Sequence, residues 1–386
     1  MRSVSERYLL LGLRLDRHVD GMVDAYFGPA ELPTAVEAEP LAEPGALADD
    51  ADELLAGLPD GWLRDQVAGL RACAGVLAGE PISYADEVER CYGVRPAHTD
   101  EAVFAAAHER LGELLPGDGP LPERKEVWER SIRVPADRLE RTVAAVIEQA
   151  RARTRALVDL PEDEGVDLEL VTDKPWLAFC DYLGDLRSRI AVNTDLPFSA
   201  IELLRLALHE TYPGHHTERA CKEQLLVRGR GLLEETIVLV PAPQSLVSEG
   251  IAELAPELLL GEDGGAPFVA ILAEAGVELD LPHALAVEKA LEPSRWVEVN
   301  AALMLHEEGA DETDVQAYLE RWALVDGDLA AHLVRFMREP ASRSYILTYA
   351  AGRELCRSYV AGDPARFRRL LTEQVRVGEL LAVSRG

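Results

Sequence analysis

The spacing of apolar positions predicts helix over most of this chain. Residues 4–25 repeat apolar side chains at helical spacing up to Tyr26-Phe27-Gly28-Pro29, and similar patterns over 61–79, 98–115 and 134–158 predict further helices. Residues 30–60 read as a turn followed by a short helix, and Pro116-Gly117-Asp118-Gly119-Pro120 is a clear break. The pattern changes at 166–193. There VDLELVT alternates, Lys174-Pro175-Trp176 punctuates, and LAFCDY and SRIAVNTD follow, which suits extended segments. Helical spacing returns at Ser199 and persists to the C-terminus, broken at 240–243, 261–267, 309–312 and 340. The predicted fold is mainly α, with a small, mostly antiparallel β-sheet just before a helix that begins near residue 199. Residues 1–160, helical, and 161–386, carrying the sheet and the C-terminal helices, are expected to pack as one compact unit across a cleft.

Composition narrows the function classes. The chain has 386 residues, 69 acidic against 39 basic, and a formal charge of -30. Such a field repels nucleic acid and anionic membrane surfaces, so neither is an expected partner. No stretch approaches the ~20 apolar residues of a membrane span, and Arg14 and Asp16 interrupt the apolar start, which therefore does not read as a signal peptide. Five cysteines, odd in number and without a CxxC pair, read as small buried hydrophobes in a reducing cytoplasm. Nothing indicates an oligomer.

One segment stands out chemically: LLRLALHETYPGHHTERACKE, 203–223, which holds three of the nine histidines within eight residues. Imidazoles with a carboxylate in reach are what zinc hydrolysis needs. In an unbroken helix, however, His215 would lie roughly 240° round from His209, and His216, though in phase, about 10 Å along the axis. Neither could share with His209 an ion bound at ~2.0–2.1 Å. Pro213 and Gly214 permit a bulge over Tyr212–Gly214 that would bring His215 back opposite His209. The expected ligands are therefore His209 and His215, with His216 as the alternative second histidine. A third comes from SLVSEGIAELAPE, where Glu249 and Glu253 lie i,i+4 on one helix face. Glu210, beside a ligand but off the ligand face, is the natural general base. The other six histidines lack a ligand-spaced partner, and Trp176, Trp296 and Trp322 read as core anchors.

These residues carry a resemblance. HETYPGHH followed by SEGIAE resembles the DUF885 family of bacterial zincin-like proteins. At greater distance it resembles the helical zinc carboxypeptidases and oligopeptidases, whose ligand pattern would map onto His209, Glu210, Gly214-His215 and Glu249. Segments 8–29, 89–96, 182–195 and 343–355 also look like family blocks; Ile251 departs from the family, where Trp commonly follows the Glu-Gly. The resemblance implies a zincin-like helical metalloprotease fold, Zn2+ as cofactor, and hydrolysis of small peptides by metal-activated water. Hydrolysis of non-peptide amides or esters, and a non-catalytic metal-stabilised scaffold, are the rival readings.

Supporting roles follow from the same comparison. Strand Ser188 to Asp195 is expected to offer an edge for the substrate backbone, with Asn193 at its end. Tyr345, Tyr349 and Arg353 follow i, i+4, i+8 spacing. The two phenols, together with Tyr212, are candidate oxyanion donors, and Arg353 a candidate partner for a peptide carboxylate.

Overall fold

The computed structural model describes residues 2–174, 176–195, 197–261 and 265–384. The chain is mainly α-helical with two small β-sheets. Helices Trp62–Leu77, Glu101–Leu114 and Leu139–Thr154 occupy the predicted stretches, and residues 30–60 hold two helices, Glu31–Ala38 and Pro44–Gly57. The first helix, Val4–Asp16, opens on a capping box of Ser3 and Glu6 and stops well short of residue 25. Gly21, at φ 80°, turns the chain, and the Asp16 carboxylate accepts the Val23 N–H at 2.9 Å. Strand β1, Val23–Tyr26, then leaves antiparallel to a late strand, Ile237–Leu239.

Three further strands precede the histidine segment: β2, Gly165–Val171; β3, Ala178–Gly184; and β4, Arg187–Asn193. Their order is β2-β4-β3, with β4 parallel to β2 and antiparallel to β3. The sheet is thus mixed, and the strand expected to offer an edge is its centre. Both sides of β4 are hydrogen-bonded, so it cannot accept a substrate backbone; β3 is the edge strand nearer the histidines. Burial follows this order, since β4 is buried almost continuously and β3 alternates.

Four helical segments position the site. The metal helix, Ala200–Glu210, is capped by Ser199, whose hydroxyl accepts the Glu202 N–H at 3.3 Å. After a break, His215–Lys222 continues the chain. The glutamate helix, Pro243–Leu260, lies against the tyrosine helix, Leu347–Val360. Gly250 and Gly352 set that close approach. A Cβ on Gly250 would run into the Gly352 carbonyl and come within 2.5 Å of Cys356 Sγ, and one on Gly352 would strike the Leu246 carbonyl. Leu246, Val247, Ile251 and Leu254 from one helix and Leu347, Ala350, Ala351 and Leu355 from the other share one apolar core. This contact seats the turn bearing Tyr345 directly over Glu249.

Candidate metal centre

The metal helix ends at Glu210 as predicted by the ligand spacing. Thr211 leaves helical geometry at φ -117°, ψ -93°, the Tyr212–Pro213 peptide is cis, and a new helix starts at His215. Gly214 passes so close to the preceding turn that a Cβ there would collide with the His209 carbonyl oxygen and sit 2.6 Å from that of Leu208. The break folds the chain back, and His215 Nε2 lies 3.2 Å from His209 Nε2. Glu249 closes the group, with carboxylate oxygens 3.2 Å from His215 Nε2 and 3.5 Å from His209 Nε2. His209, His215 and Glu249 form a buried cluster able to coordinate a metal ion, their ligand atoms all within 4.8 Å of one another.

The donor chemistry fits a cation. Ser248 Oγ donates to Glu218 Oε2 at 2.6 Å, so its lone pairs are free to accept His215 Nδ1–H at 3.1 Å. That leaves His215 Nε2 as a bare lone pair facing a second imidazole nitrogen and a carboxylate. Glu249 Oε2 is buried and has no hydrogen-bond partner among the described residues. Such a set of acceptors is satisfied by a positive ion or, without one, by a proton on His215 shared with Glu249.

Surrounding groups hold His215 and Glu249, while His209 Nδ1 makes no hydrogen bond among the described residues. Glu218 is paired with Lys222 Nζ at 2.6 Å, which anchors the chain from His215 through Ser248. Tyr345 Oη donates to Glu249 Oε1 at 2.5 Å. Glu253 faces the far side of His209, 3.5 Å from Nδ1, and is itself held by Arg295 at 2.6 Å and Arg205 at 3.6 Å. The pair of glutamates expected on one face is thus divided: Glu249 lies on the ligand side of His209 and Glu253 on the orienting side. Burial alone would push the Glu249 carboxyl up, but the field and hydrogen bond of His215, with help from His209 and Tyr345, bring it down to about 2. Burial works against a charged His215, yet the Glu249 carboxylate outweighs it and raises the ring above its ordinary range.

His216, the alternative ligand, points the other way. Its Nε2 is 3.1 Å from Glu164 Oε2 and its Nδ1 2.8 Å from Ser188 Oγ, both deep in the protein. Burial lowers its pKa against the opposing pull of the Glu164 carboxylate. The Tyr212 hydroxyl donates to the same Glu164 carboxylate, whose other oxygen meets Arg151 Nε at 2.7 Å. Tyr212 is therefore a buried strut, not an oxyanion donor in the cleft, and Glu164, which the sequence pattern did not single out, is its anchor.

The cluster opens onto a cleft of about 490 Å³ whose wall includes Glu210, His209, His215, Glu249, Tyr345 and Tyr349. Tyr345 is engaged by Glu249, and Tyr349 lines the cleft beside it. Arg353, one turn further on, misses the cleft. It lines a separate cavity of about 400 Å³ beside Glu257 and Glu292, at 3.5 and 3.8 Å, and cannot be the cleft's carboxylate anchor. Asn193 is a support: its Nδ2 donates to the Lys174 and Trp176 carbonyls at 2.9 and 3.1 Å and pins the loop that carries Trp176. Trp176 itself lines the cleft, contrary to the core role expected of it. Cys180 also lines it, but burial pushes its thiol up to about 12, so it is no nucleophile.

No family model and no curated protein matches the chain. Its fold is similar to that of a "putative lipoprotein" from Colwellia psychrerythraea, at TM-score 0.56 and 15% identity over 88% of this chain and 66% of that one. It is also similar to a "putative lipoprotein of unknown function" from Shewanella oneidensis, at TM-score 0.51 and 13% identity over 99% and 73%. The chain thus spans about two thirds to three quarters of these proteins. Both names speak against the cytoplasmic location expected from the cysteines, since a lipoprotein is carried on a membrane surface. The physical reason is that the cysteines are weak witnesses. Four of the five are buried and the other is partly so, and thiols that serve as core side chains say little about the redox state outside. Among the described residues no helix is long and apolar enough to cross a membrane.

Proposed function

We propose that this protein is a zinc-dependent hydrolase, most simply a metallopeptidase of DUF885 type with a zincin-like helical fold. The observation that carries the reading is the convergence of His209, His215 and Glu249 on one point at the wall of a cleft that Glu210 also lines. A structural zinc site would be closed by a fourth protein ligand, whereas three ligands beside an open cleft leave a place for water or substrate. Bound there, zinc would acidify a water molecule and polarise a carbonyl.

The chain's own residues account for the remaining tasks. Glu210 takes a proton from water and returns it to the leaving amine. The Tyr349 hydroxyl can donate to the oxygen on which charge develops. Tyr345 keeps Glu249 oriented, and Ser248 with Glu218 keeps His215 in the tautomer that presents Nε2. The outer edge of β3, which lines the cleft at Ala178–Cys180, can pair with an extended peptide backbone.

Substitution separates binding from chemistry. Purified protein is expected to hold about one zinc per chain and His209→Ala to hold none. Glu210→Gln, which preserves shape but cannot accept a proton, is expected to keep the metal and lose turnover of a peptide library. Full zinc binding by His209→Ala, or undiminished turnover by Glu210→Gln, would refute the assignment.

A further inference from the structure

Among the described residues, both the arginine and the lysine that line the cleft are already committed. Arg219 Nη2 meets Asp24 Oδ2 at 2.7 Å while its Nη1 donates to the Cys180 carbonyl at 3.3 Å. Lys222 is held by Glu218. Against these two cations the described lining carries five carboxylates: Asp24, Glu210, Glu218, Glu235 and Glu249. A divalent ion would offset two of those charges without supplying a free cationic side chain. A carboxylate entering here meets no free guanidinium or ammonium among the described residues, and like charges at short range in a partly dry site repel strongly.

Beside Gln244 and three serines, the wall carries a group of apolar aromatic side chains. Phe27, Trp176, Phe179 and Phe336 all line the cleft. Phe179 is 36% exposed on the edge strand, and its ring centroid lies 5.8 Å from that of Trp176 at a tilt of 32°. Two neighbouring aromatic rings left open to solvent inside a cleft offer a surface on which an apolar side chain can be buried. Asn193 fixes the Trp176 loop, so the surface is preformed.

We infer that the site takes peptides presenting an apolar, preferably aromatic, side chain to the Trp176–Phe179 wall, and that it discriminates against acidic side chains and free carboxylates within the cleft. This rests on the peptidase reading for its substrate class, and it makes the site indifferent or averse to a free C-terminus.

The test uses zinc-loaded Glu210→Gln protein and isothermal calorimetry with blocked tripeptides, acetylated and amidated, that carry Phe, Leu, Ala, Asp or Lys at the centre. A matched set ends in a free carboxylate. The Phe peptide is expected to bind at least about tenfold more tightly than the Asp peptide, a ratio within reach of one well-filled apolar pocket. The free-acid forms are expected to bind no better than the amides. Phe179→Ala is expected to erase the Phe preference while zinc content stays at one per chain. Equal binding of Phe and Asp peptides, tighter binding of the free acids, or no binding of any peptide would overturn the inference. If wild-type protein fails to cleave a peptide that the Glu210→Gln variant binds with this preference, the hydrolase reading falls and the binding specificity stands.

Discussion

Ser248→Ala tests whether the site is a designed metal centre or only a meeting of three polar side chains. Ser248 is not itself one of the three ligands; it accepts from His215 Nδ1 at 3.1 Å and donates to Glu218 at 2.6 Å. Removing its hydroxyl leaves Nδ1 of a buried imidazole without an acceptor. It also leaves Glu218 Oε2 without that donor, while Oε1 keeps Lys222. If His215 serves as a ligand through Nε2, losing the group that fixes its tautomer should weaken metal binding roughly 10- to 100-fold, or about 1.4–2.7 kcal/mol. A competitive zinc titration against a chromogenic chelator reads this directly.

Ser245 supplies the control. It lines the same cleft from the same helix, but its hydroxyl donates only to the Leu239 carbonyl at 2.5 Å. Ser245→Ala should cost about 1 kcal/mol of folding stability and leave zinc affinity within about twofold. Equal zinc affinity in wild-type and Ser248→Ala proteins would refute the orienting role. An equal loss in both variants would show that the site responds only to general loosening.

Three more outcomes follow from the geometry. Gly214→Ala drives a methyl group into the His209 carbonyl, so it should cost roughly 1–3 kcal/mol of stability together with stoichiometric zinc; a variant with normal melting and full zinc would contradict the tight turn. Burial disfavours a charged Glu164, but hydrogen bonds from His216, Tyr212 and Arg151 bring its pKa from 4.5 down to about 2. Its stabilisation is therefore complete above the unfolded value and lost as pH falls toward the folded one, about 2 kcal/mol between pH 5 and pH 3. Denaturant titrations of metal-free protein should show wild-type losing that much more than Glu164→Gln over this interval, and parallel losses would exclude the carboxylate as their source. Arg353→Ala should leave zinc content and KM unchanged for free-acid and amidated peptides alike, since Arg353 faces Glu257 and Glu292 in another cavity. A KM rise confined to free acids would return it to the substrate.

How far the site could be read in advance depended on whether each residue's task was local. His209, Glu210 and His215 share one segment, and simple helix geometry forbids their cooperation unless the chain breaks at Pro213-Gly214. The turn was therefore legible from spacing alone, and the necessity of glycine at 214 follows from the carbonyls it passes. Glu249 and Glu253 could be placed on one face but not assigned, because the assignment depends on which side of the His209 ring each one meets. Arg353 failed for a related reason. Helical spacing gives the phase of a side chain around an axis, and each further turn carries it ~5.4 Å along that axis. Tyr345 lies over Glu249, Tyr349 still reaches the cleft, and Arg353 is carried past it.

The strands hold a subtler lesson. The place of SRIAVN immediately before the metal helix suggests an edge, yet its run of Ile190, Ala191 and Val192 is the unbroken apolar pattern of a strand covered on both faces. FCDYL alternates, as a strand with one open face does. Sequence proximity suggested one strand and burial pattern the other, and burial pattern is the stronger guide because it reports what covers each residue. With β3 rather than β4 at the margin, the exposed Phe179 stops being an anomaly on a sheet. Of the three described strands it stands on the one that borders the cleft and has no strand hydrogen-bonded on its outer side, where a backbone could pair with the strand while its side chain meets the aromatic wall. Backbone pairing and side-chain selection would then be two consequences of one choice of strand order. Replacing Phe179 should accordingly change which peptide binds far more than whether zinc does.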